Sequence, residues 1–436
     1  MTLKTFFIAS VAILYSFTAV ANDNPALKLI KNTEYTLDAS VMGFFQKPTA
    51  KSLDADDASI VGRFTLKSDV WLNDYFSTGF DLYAAYSSQK GEYAGVFRNP
   101  GHQSTQARIV DFNTAWLRYE SEHFALILGK QYIEMGLSDL YSPVDRFGLH
   151  NFSNPSQPYK IGVWQASIDY FIKDDTLSFK LLPVYERSLF PSQHSRWLGN
   201  TEDPQFFNLT SQYQISDYYY PVRIENMGYL LQYKGYRAGY DFFAALHHGP
   251  SIYPTLRNGL LANELTKQDP LATSISAGIL KVIDQWTLSA EIIYQLNDNN
   301  SDEDFIRYSV GVSYNESNWS HKLGLNQIKT SLQWSGDEVV DSKLSTAINT
   351  SSNDARPFQK TLFFKIEVEQ SEKWSYLISI AHSIHTDLGV FTGIEYKRSN
   401  NLSFRLESGF FSGHSDSFFG RWKDNNYLRL RTLYTF

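Results

Sequence analysis

The feature that most restricts what this chain can fold into is a regular alternation of apolar and polar side chains over short segments. In its last eleven residues Leu428, Leu430, Tyr434 and Phe436 alternate with a set containing Arg429 and Arg431. A side-chain period of two sends successive residues to opposite faces of a strand. This segment therefore predicts a strand with one greasy and one cationic face. The same pattern recurs at 36–46, 58–73, 76–90, 107–120, 124–133, 161–173, 176–186, 226–235, 237–249, 272–284, 286–297, 305–316, 319–331, 358–370, 374–385, 389–399, 402–413 and 426–436, giving about 18 strands, with about 16 as the alternative count.

The connections between these segments sort into two classes. Short links fall at Asn73-Asp74-Tyr75, Ser121-Glu122-His123, Asp174-Asp175, Gly235-Tyr236, Asp284-Gln285, Glu316-Ser317-Asn318, Ser371-Glu372-Lys373 and Asn400-Asn401. Between them lie long links at 47–57, 91–106, 134–160, 187–225, 250–271, 298–304, 332–357 and 414–425, with His385-Thr386-Asp387-Leu388 a short exception within the long class. This sorting, with a final strand that stops on Phe436, resembles a Gram-negative outer-membrane β-barrel, in which short periplasmic turns alternate with long outer loops. The resemblance implies an all-β, transmembrane, antiparallel up-and-down barrel. It also implies recognition of the strand ending at Phe436 by the barrel-assembly machinery, and contact with outer-membrane lipids and lipopolysaccharide.

Composition agrees with that reading. Lys4, an apolar run from Phe6 to about Val20 and the small-x-small site Ala19-Val20-Ala21 read as a cleaved export signal over 1–21, leaving 22–436 as a single barrel domain. Mean hydropathy is only −0.32, yet 31 Phe, 28 Tyr and 9 Trp supply rings for two membrane interfaces. Barrels hide apolar surface by alternation, so low mean hydropathy is expected. The absence of cysteine excludes disulfides and thiolate chemistry. A net charge of −7 with no Lys/Arg-rich tract argues against nucleic acid as a partner.

Alternation also predicts which face of each strand is wet. Phe64 and Leu66 alternate with Arg63, Lys67 and Asp69; Phe80 and Leu82 with Asp81; Phe242 and Ala244 with Asp241; Phe364 and Ile366 with Lys365 and Glu367; Phe404 and Leu406 with Arg405 and Glu407. A charge on the lipid face costs about 2–4 kcal/mol near the midplane, so these charges are assigned to a lumen of mixed sign. Closure sets the last strand beside the first, which gathers Arg63, Lys67, Arg405, Arg429 and Arg431 into one cationic stripe. Its two readings are a track biasing passage toward anions and a set of cross-strand ion pairs with Glu407, Asp69, Asp38 or Glu395.

The link 134–160, expected opposite that stripe, follows the fifth strand. In this it resembles the third outer loop of general porins, which folds inward as the constriction. Gly129-Lys130-Gln131, Gly136-x-x-Asp139 and Pro143-x-Asp145 are also similar to a pattern recurring in proteobacterial outer-membrane barrels, with Met135 where Trp is usual. The resemblance implies that Glu134, Asp139, Asp145 and Arg146 narrow the pore.

Other features carry less. The acidic groups Asp54-Ala55-Asp56-Asp57, Asp302-Glu303-Asp304 and Asp337-Glu338 fall in expected outer loops, where they read as solvated charge or as partners of cations shared with lipopolysaccharide. Phe206, Phe207, Tyr213, Tyr218, Tyr219 and Tyr220 could stack on sugars or pack their loop. His247-His248, His382 with His385, and His414-Ser415-Asp416 lack the spacing of a triad or metal site. The expected function is thus non-enzymatic, without metal or cofactor: passive, charge-biased diffusion of small hydrophilic solutes, anionic ones among them. The alternatives are export of an anionic exopolysaccharide and a loop-plugged structural or adhesive barrel.

Overall fold

The computed structural model describes residues 25–49, 55–89, 91–101, 104, 106–192, 194–199, 214–218, 221, 223–259, 264–298, 301–341, 357–384, 387–415 and 417–436. The expected export signal lies outside them. Eighteen strands form one sheet: β1 (Glu34–Phe44), β2 (Ala58–Trp71), β3 (Phe76–Ser87), β4 (Val110–Glu120), β5 (Phe124–Gln131), β6 (Val163–Ile172), β7 (Asp175–Leu182), β8 (Gly228–Arg237), β9 (Tyr240–Pro250), β10 (Leu271–Ile283), β11 (Trp286–Asn297), β12 (Asp304–Glu316), β13 (Gln327–Asp341), β14 (Thr361–Glu369), β15 (Trp374–Ser383), β16 (Asp387–Ser399), β17 (Leu402–Ser412) and β18 (Tyr427–Thr435). Each pairs antiparallel with its neighbour in sequence. β1 also pairs with β18, in a register that sets Asp38 against Leu433 and Ser40 against Arg431. The sheet is therefore a closed barrel with no free edge, the one all-strand arrangement that satisfies every backbone group in lipid.

Alternation operates as expected. Leu128, Ile275, Val310 and Leu430 are more than half exposed on the outer face, while Ser276, Ser309 and Arg429 on the inner face are buried. Rings pair along the short-turn rim: Trp286 with Tyr314, Trp374 with Tyr396 and Tyr434 with Phe436, centroids 4.5, 4.7 and 4.6 Å apart. They form the aromatic girdle of a membrane interface.

Two turns differ from the sequence expectation. Between β8 and β9 the chain reverses at Ala238 and Gly239, with φ of 52° and 77°, and not at Gly235-Tyr236. A two-residue hairpin of the type I′ form needs left-handed backbone at both positions, and glycine adopts it in second place without strain. Between β12 and β13 the link is long and includes a short helical turn, Ser320–Leu323. The Glu316 carboxylate caps it by accepting from the N–H groups of Asn318 and Trp319 at 2.6 and 2.7 Å. Strand β13 consequently runs on to Asp341, so Asp337 and Glu338 lie in a strand and not in a loop. A short helix, Pro25–Lys31, precedes β1, and the Ser68 hydroxyl donates to the Leu29 carbonyl at 2.8 Å.

One position in β5 tests the wall's packing. Gly129 has φ of 127°, and a Cβ there would lie 2.3 Å from the Ala115 carbonyl oxygen on β4. Gly129→Ala is expected to destabilise the barrel by about 1–3 kcal/mol, lowering the temperature at which the compact gel band converts to the unfolded one.

Candidate permeation path

The link after β5 enters the barrel and crosses it. Glu291, on the inner face of β11, accepts from the backbone N–H groups of Leu137 and Ser138 and from the Ser142 hydroxyl, the last two at 2.8 and 2.6 Å. Asp139 pairs with Lys329 at 2.7 Å and accepts from Ser331 at 3.0 Å. The Gln333 side-chain oxygen accepts from the N–H groups of Leu140 and Tyr141 at 3.2 Å. These partners sit on β11 and β13, across the bore from β5. A backbone segment with no strand partner must satisfy its polar groups elsewhere, and the inward-facing Glu291 and Gln333 side chains do so.

The return limb lies against the arginine sector. It is held by a small ribbon pairing Leu149–Asn151 with Tyr159–Ile161. The Arg63 guanidinium stacks on Tyr159 and Tyr83, at 4.5 and 4.1 Å from the ring centroids, and Arg429 donates to the Ser156 hydroxyl at 3.5 Å. Only the outbound limb is therefore opposite the arginines. The loop was expected there as a whole, but a segment of this length reaches both walls.

Among the expected loop residues, Asp145 binds Lys160 at 2.9 Å, and Glu134 faces the chamber beside β1–β3. Arg146 is buried, over Tyr253 and Phe305 at 4.5 and 5.3 Å. It packs the base of the loop and does not face open lumen.

Three chambers adjoin one another along the bore, the first and third lined in part by the loop. One of about 680 Å³ is lined by Asp38, Arg63, Asp81, Glu134, Arg429 and Arg431. A second, of about 410 Å³ toward the short-turn rim, is lined by Lys329, Glu367, Glu395, Lys397 and Arg405, and Glu407 borders both. A third, of about 650 Å³ on the long-link side, is largely aromatic and meets the first along Ser156 and Pro158–Lys160.

Three arginines of the stripe each meet a carboxylate, Arg405 with Glu395 at 3.1 Å, Arg429 with Glu407 at 2.7 Å and Arg431 with Asp38 at 2.8 Å, whereas Arg63 lies against the rings of Tyr83 and Tyr159. Lys365 pairs with Glu367 at 3.0 Å, and Asp81 accepts from Asn113 and Tyr132 at 3.2 and 3.3 Å. Lys67 and Asp69 are exposed toward the short-turn rim, and Asp241 is half-buried on β9.

Several features were missed in the sequence. Arg196 and Trp197, in the link after β7, are buried. Arg196 donates to the carbonyls of Gln46 and Asp56 at 2.8 and 2.9 Å and to the Asn425 side chain at 3.0 Å, with its guanidinium 3.5 Å over Phe44. That link has no periodicity to mark them. Phe363 and Phe411 also point inward, and here a signal existed: they share the parity of Lys365, Glu367 and Glu407. The acidic loop groups are not solvated charge throughout. Asp302 and Asp304 are buried, Asp304 accepting from the Asn297 N–H at 2.7 Å, and Asp337 pairs with Arg307 at 3.2 Å.

Asp54, Phe206, Phe207, Tyr213, Tyr219, Tyr220, His385 and Asp416 lie outside the described residues. Tyr218 is exposed. His247 stacks on Phe147 at 4.4 Å, His248 contacts Thr273 at 3.0 Å, and His382 contacts the Asp387 carbonyl at 3.2 Å. Among the described residues no group of three or more His, Asp or Glu is disposed to hold a metal ion.

No protein-family model and no curated protein matches the sequence. Among solved structures the chain is similar to OccK8 (OprE) of Pseudomonas aeruginosa, with 10% identity, TM-score 0.51, and coverage of 93% of this chain and 98% of that one. It is also similar to OccAB3 of Acinetobacter baumannii, at 9% identity, TM-score 0.51, and coverage of 93% and 99%. A BenF-like porin from Pseudomonas fluorescens Pf-5 gives 10% identity, TM-score 0.50, and coverage of 93% and 98%. The fold is that of an outer-membrane porin. With its apolar exterior and closed ladder, the molecule is an integral outer-membrane protein.

Two predictions follow from the site. Glu291→Ala removes the acceptor of three donors and is expected to release the 137–142 segment, at a cost of about 2–4 kcal/mol in urea unfolding, with larger and noisier single-channel conductance. Glu186, in the link after β7, is buried. Burial pushes its carboxyl up to about 7, while Lys130 and Arg98 oppose the rise. A raised carboxyl binds its proton more tightly in the folded state, so the penalty of ionising it is absent below the unfolded value near 4.5 and complete above about 7. Stability of the native protein is expected to fall by up to about 3 kcal/mol between those limits, and Glu186→Gln should flatten that slope.

Proposed function

We propose that this barrel is an outer-membrane channel for passive diffusion of small hydrophilic solutes, selecting by cross-section and by the paired charges of its wall. The observation that supports this reading is the crossing of the bore by residues 137–142, tied to β11 and β13, beside a charged chamber of about 680 Å³. Fixed charges in a narrow wet pore set ion preference. Arg63, Lys67, Arg405, Arg429 and Arg431 would favour anions, but the carboxylates on Arg405, Arg429 and Arg431 offset most of that bias and leave it weak. An anionic polysaccharide would need an unbroken lane of unpaired cations, so diffusion of small solutes is the reading that the geometry favours.

The test is planar-bilayer recording in a KCl gradient. The native protein should give discrete steps with a reversal potential close to zero. The combined Arg405→Ala, Arg429→Ala and Arg431→Ala variant leaves Asp38, Glu395 and Glu407 without these partners and should move the reversal potential clearly toward cation preference. No steps from a correctly folded sample would overturn the channel reading, and an unmoved potential would remove the wall charges from it.

A further inference from the structure

The wall near the outer mouth of β14–β17 breaks the rule that a water-filled bore is lined by polar groups. Inward positions there carry Phe363, Phe391 and Phe411, although Ser379 on the strand between Phe363 and Phe391 shows that a small polar residue fits the same face. Three separate links add rings over this wall: Tyr141 from the crossing loop, Phe358 after β13, and Phe418 with Trp422 after β17. Phe363, Phe411 and Trp422 are buried and form the floor, while Tyr141, Phe358, Phe391 and Phe418 are half-buried and present faces to the cavity. Phe358 is the hub, with ring centroids at 4.9 Å from Tyr141 and 4.6 Å from Phe418. A concave cavity of about 650 Å³ with apolar walls and a few polar groups has the size and character of a small-molecule site.

The polar groups indicate what such a site distinguishes. Lys160 and Lys365 are already matched to Asp145 and Glu367 at 2.9 and 3.0 Å, and the Arg421 guanidinium lies 4.8 Å over both Phe418 and Trp422. A sugar would need several free hydrogen-bond partners directed at its hydroxyls, whereas phenyl faces offer offset and edge-on contacts to another flat ring. We infer that this vestibule is a binding subsite for small aromatic solutes, which it recognises by the ring and not by an attached anionic group. The inference rests on the channel reading and names the solute class that enters by this route.

The test uses the full-length barrel in detergent, so that it does not depend on conduction. Titration calorimetry would compare 4-hydroxybenzyl alcohol, 4-hydroxybenzoate and glucose on the native protein and on a Phe358→Ser, Phe391→Ser variant whose heat-modifiable migration shows that it is folded. The two aromatic probes should bind within about threefold of each other, glucose should give no heat, and the variant should weaken both aromatics at least tenfold. Binding of the carboxylate alone, binding of glucose, or equal affinity in the variant would each overturn the proposal. In bilayers, discrete steps without current block by the neutral aromatic probe would refute this subsite and leave the channel reading intact. Aromatic binding without steps would do the reverse.

Discussion

The backbone ladder between β1 and β18 is the constraint on which the rest of the molecule depends. In hydrocarbon an unpaired N–H or C=O has no water to turn to, so an open sheet of seventeen ladders would leave two long edges unsatisfied. The pairing of Thr36–Phe44 with Tyr427–Thr435 removes both edges. Once the sheet is closed, alternation has a single meaning on every strand: one parity meets lipid and the other meets the lumen. The polar interior follows from closure, and so does the possibility of a folded loop inside it.

That interior is filled from its own links, and polar side chains of the wall do the fastening. Glu291, Gln333 and Ser331 project from β11 and β13 and collect the backbone or side chains of the segment from Leu137 to Ser142. Buried acceptors without donors are costly, so wall and loop each require the other. The same logic governs the arginines. Arg429 is buried, and its guanidinium is tolerated there because Glu407 and Ser156 receive its donors.

Much of the architecture was legible because a β-barrel writes its period into the sequence locally. The strand count and the inward assignment of Arg405, Glu407, Arg429 and Arg431 come from a parity that neighbouring residues share. Apart from the inward Phe363 and Phe411, which shared that parity, what escaped was non-periodic. The start of β13 moved because the capped turn at Ser320–Leu323 depends on a carboxylate, Glu316, accepting from backbone N–H groups two and three residues later. The burial of Arg146 and of Trp197 is decided by which distant link lies over them, a tertiary fact with no local signature. Whether the cations would stand alone or in pairs also depended on reach across strands, since Asp38 and Arg431 are brought together only by closure.

Arg196 shows how far a single side chain can organise the outer rim. Its guanidinium gathers the carbonyls of Gln46 and Asp56 and the amide of Asn425, from connections that begin at opposite ends of the polypeptide, while Trp197 beside it is enclosed by Phe44, Phe411, Trp422 and Tyr427. The outer surface is consequently a clasped roof and not a set of independent fringes. Remodelling any one of those connections would therefore disturb the others and the aromatic wall beneath.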